Sequence, residues 1–76
     1  MTWLPLESDM FTSVACDADR QILHLRFRKT GDVYRYFEVP SAHYTQLLAA
    51  ESRGRYFLAH IRNQFRYERM ARLRAA

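Results

Sequence analysis

The sequence has little of what small catalytic and cross-linked domains are built on: one cysteine, two glycines and two prolines in 76 residues. A lone Cys16 excludes an internal disulfide, and without a second cysteine there is no Cys-based zinc site. Gly31 and Gly54 cannot assemble a glycine-rich phosphate loop. No apolar run approaches the roughly 18 residues of a membrane span. The opening Met1-Thr-Trp-Leu-Pro-Leu-Glu7 lacks the basic start and long apolar stretch of a signal peptide. The expectation is a cytoplasmic protein with no membrane partner. The length permits one domain, and a chain this short buries only about 60% of the surface that its unfolded form exposes. Its core must come from the five Phe, the five Tyr, Trp3 and the aliphatics.

What is present is positive charge, unevenly spread. The formal charge is +4. Residues 1–24 carry four carboxylates against Arg20, a balance of −3, residues 25–52 balance at +1, and residues 53–76 set seven Arg against Glu68, giving +6. Eleven of the twelve cations are Arg, whose planar fork suits phosphate, carboxylate and aromatic faces. Such a segment serves equally as a solvated face or as an interaction surface.

The pattern along the chain predicts an α+β domain: a three-stranded antiparallel meander followed by two short helices packed on one face. Met10–Cys16 is rich in β-branched and aromatic residues and exits through a turn at Asp17-Ala-Asp-Arg20. In Gln21–Arg28, Leu23, Leu25 and Phe27 alternate with Ile22, His24, Arg26 and Arg28. Lys29-Thr-Gly-Asp32 supplies a hairpin loop, and Val33–Val39 is a third alternating strand, closed by Pro40. Ser41 is the expected N-cap of a helix with Tyr44, Leu47, Leu48 and Glu51 on one face. Ser52-Arg-Gly54 breaks it and starts a second, in which Phe57, Leu58 and Ile61 share a face. Phe65–Met70 reads as either a short strand or continued helix. Residues 1–7 form an N-terminal arm, 8–70 the domain and 71–76 a basic, flexible tail. Phe27, Phe37 and Phe57 are assigned to the core, and Cys16, at a strand end, reads as structural.

Catalysis finds no constellation. His24, His43 and His60 lie in no spacing that brings two imidazoles onto one metal, and Cys16 lacks an orienting partner. Asp17 and Asp19 sit in turn chemistry. No cofactor, no metal and no enzymatic activity are expected. Aromatic and cationic residues do interleave. The candidate partner-binding set is Arg26, Arg28, Tyr34, Arg35, Tyr36, Arg53, Arg55, Tyr56, Arg62, Arg66, Tyr67 and Arg69. Nucleic-acid binders and protein interfaces both use such sets, because Arg and Tyr pair large contact area with polar tips.

Val33-Tyr-Arg-Tyr-Phe-Glu-Val-Pro40, then Tyr44, Leu47-Leu-Ala-Ala50, Ser52-x-Gly54-x-Tyr-Phe57 and Ile61-Arg62 resemble the KTSC domain. This short bacterial and phage module is named for its place at the C-terminus of some lysyl-tRNA synthetases. The resemblance runs from about Ser8 to Met70. Leu58 stands where the family usually has Asn, and Arg66 where it usually has Pro. The resemblance implies a sheet-plus-helices fold, no enzymatic activity, and the machinery of transcription or translation; a similar small phage regulator binds host RNA polymerase. With no room for a synthetase catalytic domain, the chain reads as free-standing. The leading expectation is therefore a regulator of transcription that docks on bacterial RNA polymerase through its Arg-rich C-terminal third; the Trp3-Leu4-Pro5-Leu6 arm either folds back to cover the sheet or joins that contact. The alternative is an RNA- or tRNA-binding accessory module using the Arg/Tyr surface.

Overall fold

Alternation in the strands settles which side chains share a side of the sheet. The computed structural model describes residues 1–70; the expected tail, 71–76, lies outside the described residues. Five antiparallel strands follow chain order across one sheet: β1 (Trp3–Pro5), β2 (Phe11–Asp17), β3 (Ile22–Phe27), β4 (Val33–Tyr36) and β5 (Tyr67–Arg69). Two helices, α1 (Ser41–Ala49) and α2 (Arg53–His60), connect β4 to β5. The architecture is the expected α+β arrangement, with five strands in place of three. Residues 3–5 of the arm form an edge strand, and the ambiguous segment after Phe65 forms the other edge.

Pairing places Cys16, Leu23, Tyr36 and Tyr67 in one cross-strand row and Leu4, Val14, Leu25, Tyr34 and Arg69 in the next. These rows face the helices. Leu23, Leu25 and Val14 are buried there against Leu47 of α1, Phe57 of α2 and Ile61 after it. Rings extend the packing: Phe11 meets Phe27 and Phe57 edge-on, with centroids 5.0 and 5.2 Å apart. Each such pair adds about 0.5–1.5 kcal/mol beyond its buried area.

The turns and caps follow local chemistry. Asp17 accepts the Arg20 N–H through Oδ1 at 3.3 Å, closing the β2–β3 turn. Gly31 turns the next hairpin at φ +74°, donating its N–H to the Phe27 carbonyl. Ser52 caps α2, accepting the Arg55 N–H at 3.2 Å. Ser41 does not cap α1 as expected. Pro40 occupies that position, and its carbonyl receives the His43 N–H at 3.0 Å, so Ser41 is the first helical residue. Arg28 and Arg53 also prove structural. The Arg28 guanidinium donates to the carbonyls of Ser8, Leu6 and Phe11, tying β1 to β2, and Arg53 donates to the Leu48 carbonyl behind α1.

The β1 edge is blunted. Leu6 donates its N–H to the Thr12 carbonyl, so by alternation Pro5 lies on the solvent side of β1, where its missing N–H interrupts pairing with another chain.

Two substitutions test this account by urea denaturation. Leu25→Ala, at a fully buried site, is expected to cost about 2–5 kcal/mol. Gly31→Ala has open space for its Cβ, yet is expected to cost about 1–2 kcal/mol through its left-handed backbone alone.

Candidate functional site

The helices leave part of the inner sheet face open. A cleft of about 710 Å³ lies between α2 with its following turn and the β3–β4 turn, β4 and β5. Its floor is aromatic. Tyr34 and Tyr36 stack with centroids 6.5 Å apart, and Tyr67 tilts against both at 5.7 and 5.6 Å. Phe57 abuts Tyr36 at 5.5 Å and Phe27 abuts Tyr34 at 5.1 Å. The rim mixes charges: Arg28, Lys29 and Arg62 stand with Asp9 and Asp32. Arg69 reaches Asp32 at 3.9 Å from beside Tyr34. Tyr67 and Leu58 are exposed large side chains, at 55% and 46%.

Burial pushes the Tyr36 hydroxyl well above the ordinary phenol range, reinforced by Tyr34 and Tyr67 and opposed by Arg62. It is neutral at physiological pH and available only for hydrogen bonding.

The opposite face carries no helix. There Trp3, Ala15, His24, Arg35 and Glu68 form one row across all five strands. Because Ala15 offers only a methyl group, the Trp3 ring reaches over it to His24, centroids 6.0 Å apart, and both residues beneath are buried. Arg35 pairs with Glu68 at the far end. Burial lowers the His24 pKa, as does the Arg35 charge, with Asp17 opposing. Phe37 lies on this face and not in the core, with the Arg66 guanidinium 4.6 Å above its ring and that of Arg35 at 5.8 Å.

The twelve sequence-predicted residues thus occupy four places. Tyr34, Tyr36, Tyr67, Arg28 and Arg62 meet at the cleft, with Arg69 at its edge. Arg26, Arg35 and Arg66 belong to the outer face. Arg53 and Arg55 line an adjoining hollow with Glu7 and Glu51, and this hollow shares Asp9, Met10, Arg28 and Leu58 with the cleft. Tyr56 is tied between the helices: its hydroxyl donates to Gln46 Oε1 at 2.6 Å and meets His43 Nδ1 at 2.8 Å. Leu58 was assigned to the helix's buried face and stands exposed on the cleft wall instead. Asn63 and Asp32, also in the lining, carry no sequence signal for it. Among the described residues, no group of three or more His, Cys, Asp or Glu could hold a metal ion, and no helix is long and apolar enough to cross a membrane. Burial and then Asp17 push the Cys16 thiol up, away from reactive thiolate.

Comparison with known proteins supplies context. A family model described as the KTSC domain matches residues 7–65. A protein of Tsukamurella paurometabola is 42% identical over 62 residues, 82% of this chain and 91% of that protein. A lysine–tRNA ligase of a Nostoc species is 41% identical over 51 residues, 67% of this chain but 9% of that enzyme. The crystal structure of a KTSC domain protein from Yersinia pestis superposes with a TM-score of 0.87 at 28% identity, covering 92% of this chain and 97% of that one.

The His24 environment sets a pH response. Its folded pKa lies below the 6.5 of a free imidazole, so the unfolded chain binds the proton more readily. This contribution to stability is complete above about pH 6.5 and is lost as pH falls toward the folded pKa. Thermal melts between pH 7.5 and 5 should show this decline, and His24→Gln should flatten it.

Proposed function

Because the chain belongs to the KTSC domain family, we propose that it is a non-enzymatic module that docks on a protein partner through the tyrosine-lined cleft, and that this partner is bacterial RNA polymerase, whose transcription it regulates. The observation that carries the docking reading is the make-up of the cleft: an aromatic floor, exposed Tyr67 and Leu58, and a rim of both charges. Protein interfaces have this anatomy, with aromatic anchors inside a polar rim. A polynucleotide suits the cleft poorly. Asp9 would repel its phosphates, and the faces of Tyr34 and Tyr36 are occupied by one another and by neighbouring rings.

Support for a non-catalytic role comes from the same lining. It holds neither His nor Cys, and burial pushes the Tyr36 hydroxyl up, away from neutral pH. The match to a small fraction of a lysine–tRNA ligase fits a unit that also occurs attached to a larger enzyme. Polymerase as the partner rests on the resemblance of this chain to a phage regulator.

Retention of purified core polymerase by the immobilised chain tests the proposal. Binding at low micromolar concentration is expected, and Tyr67→Ala and Leu58→Arg should each weaken it by about tenfold or more, as loss of an interface anchor does. Leu58→Arg should melt with the parent chain, whereas Tyr67→Ala gives up ring contacts with Tyr34 and Tyr36 and should melt a few degrees lower while remaining folded at the temperature of the binding assay. Failure of the parent chain to bind, or binding indifferent to both changes, would sink the proposal.

A further inference from the structure

We propose that the outer sheet face, remote from the cleft, is a binding surface for single-stranded RNA. Three observations converge on it. First, the face is uncovered and presents aromatic surface: Trp3 is 41% exposed, and Phe37 carries the stacked guanidinium of Arg66. Second, its cations outlast internal pairing. Asp17 is engaged by Arg20 at 3.9 Å and Glu68 by Arg35, whereas Arg26 and Arg66 hold no ion pair among the described residues. Third, these groups spread across the face: Trp3 on β1 and Arg35 on β4, the latter paired with Glu68, stand in one cross-strand row three strand spacings or about 14 Å apart, with Phe37 and Arg66 flanking that row on one side and Arg26 on the other.

This layout answers the chemistry of an unpaired polynucleotide. Bases stack on an indole or on a guanidinium plane, and phosphates between them meet arginine. This sheet face also projects neither a helix nor a two-stranded ribbon of the kind that enters the major groove of a duplex. The cleft, with its carboxylates and filled ring faces, has neither property. Protein and RNA contacts would therefore lie on opposite sides of the same sheet, and the segregation follows from side-chain parity in β4: Tyr34 and Tyr36 go inward, Arg35 and Phe37 outward. The choice of RNA over DNA rests on the polymerase reading, which sets the module beside a transcript; the surface itself does not depend on it.

The test needs only the full chain and labelled oligonucleotides. Trp3 is the sole tryptophan, so base stacking should quench its emission as oligouridylate is added. Neutralising two or three phosphates predicts a log–log salt slope of about −1.4 to −2.1, or roughly a 7- to 18-fold loss of affinity between 50 and 200 mM salt. Arg26→Gln and Arg66→Gln should each reduce that slope by about 0.7. Tyr67→Ala and Leu58→Arg should leave RNA affinity unchanged even where they abolish polymerase binding, so failure of one reading is distinguishable from failure of the other. Absence of quenching together with absence of anisotropy change at 100 μM oligonucleotide, an order-of-magnitude ceiling for non-specific binding, overturns the proposal. So does binding insensitive to the two arginine changes, binding of duplex as tight as of single strand, or tighter binding of oligothymidylate than of oligouridylate.

Discussion

The register of β3 against β4 is the constraint on which both surfaces depend. Leu23 opposes Tyr36 and Leu25 opposes Tyr34, so the tyrosines join the helix side, while His24 opposes Arg35 on the other. Strand side chains alternate with period two, and a slip of one residue would exchange the faces. The tyrosines would then meet water and Arg35 would be driven under α2. Register is held by the apolar burial of Leu23 and Leu25, and by the Gly31 hairpin, whose left-handed backbone fixes the length of the loop. One short turn thus decides which residues a partner can reach.

The two edge strands convert that register into sites. Neither has enough residues to persist by itself, since each spans three positions. β5 is carried by its pairing with β4 and brings Tyr67 against Tyr34 and Tyr36, completing the floor of the cleft. β1 is carried by β2, by buried Leu6 and by the Arg28 guanidinium, and brings Trp3 over Ala15. An aromatic residue on each edge strand therefore finishes a surface whose other members lie on the central strands. Destabilising an edge would remove a contact surface before it unfolds the core, because the central strands keep their own pairing.

The meander, both helices and the inward set Leu23, Leu25 and Phe57 were legible because period two and period 3.6 repeat over enough residues to show. β1 was not, since three residues carry no period and its pairing depends on contacts eight to twelve positions away. Phe37 was misplaced by reading hydrophobicity without parity: Val33, Arg35 and Phe37 share one side of β4, and an aromatic ring can be sheltered there by guanidinium groups rather than by a core. Leu58 was misplaced for a related reason. It neighbours Phe57 in sequence, but on a helix adjacent residues diverge by about 100°, so burial of Phe57 leaves Leu58 at the boundary. Its departure from the family's usual Asn was the one signal available, and the cleft wall is where that departure stands.

The arginines show how far charge along a sequence differs from charge in space. The C-terminal third is strongly basic, yet Arg53 serves a helix carbonyl, Arg69 meets Asp32, Arg62 faces the cleft and Arg66 lies over Phe37 on the outer face. Arg28, from the middle of the chain, spends its donors on three backbone carbonyls. A guanidinium occupied in this way still screens and solubilises, but its fork is no longer available to a partner. The arginines that remain for recognition are set by the sheet's alternation and by which carboxylates the fold brings within reach. Arg62 and Arg66, four residues apart in sequence, thereby stand on opposite sides of the sheet.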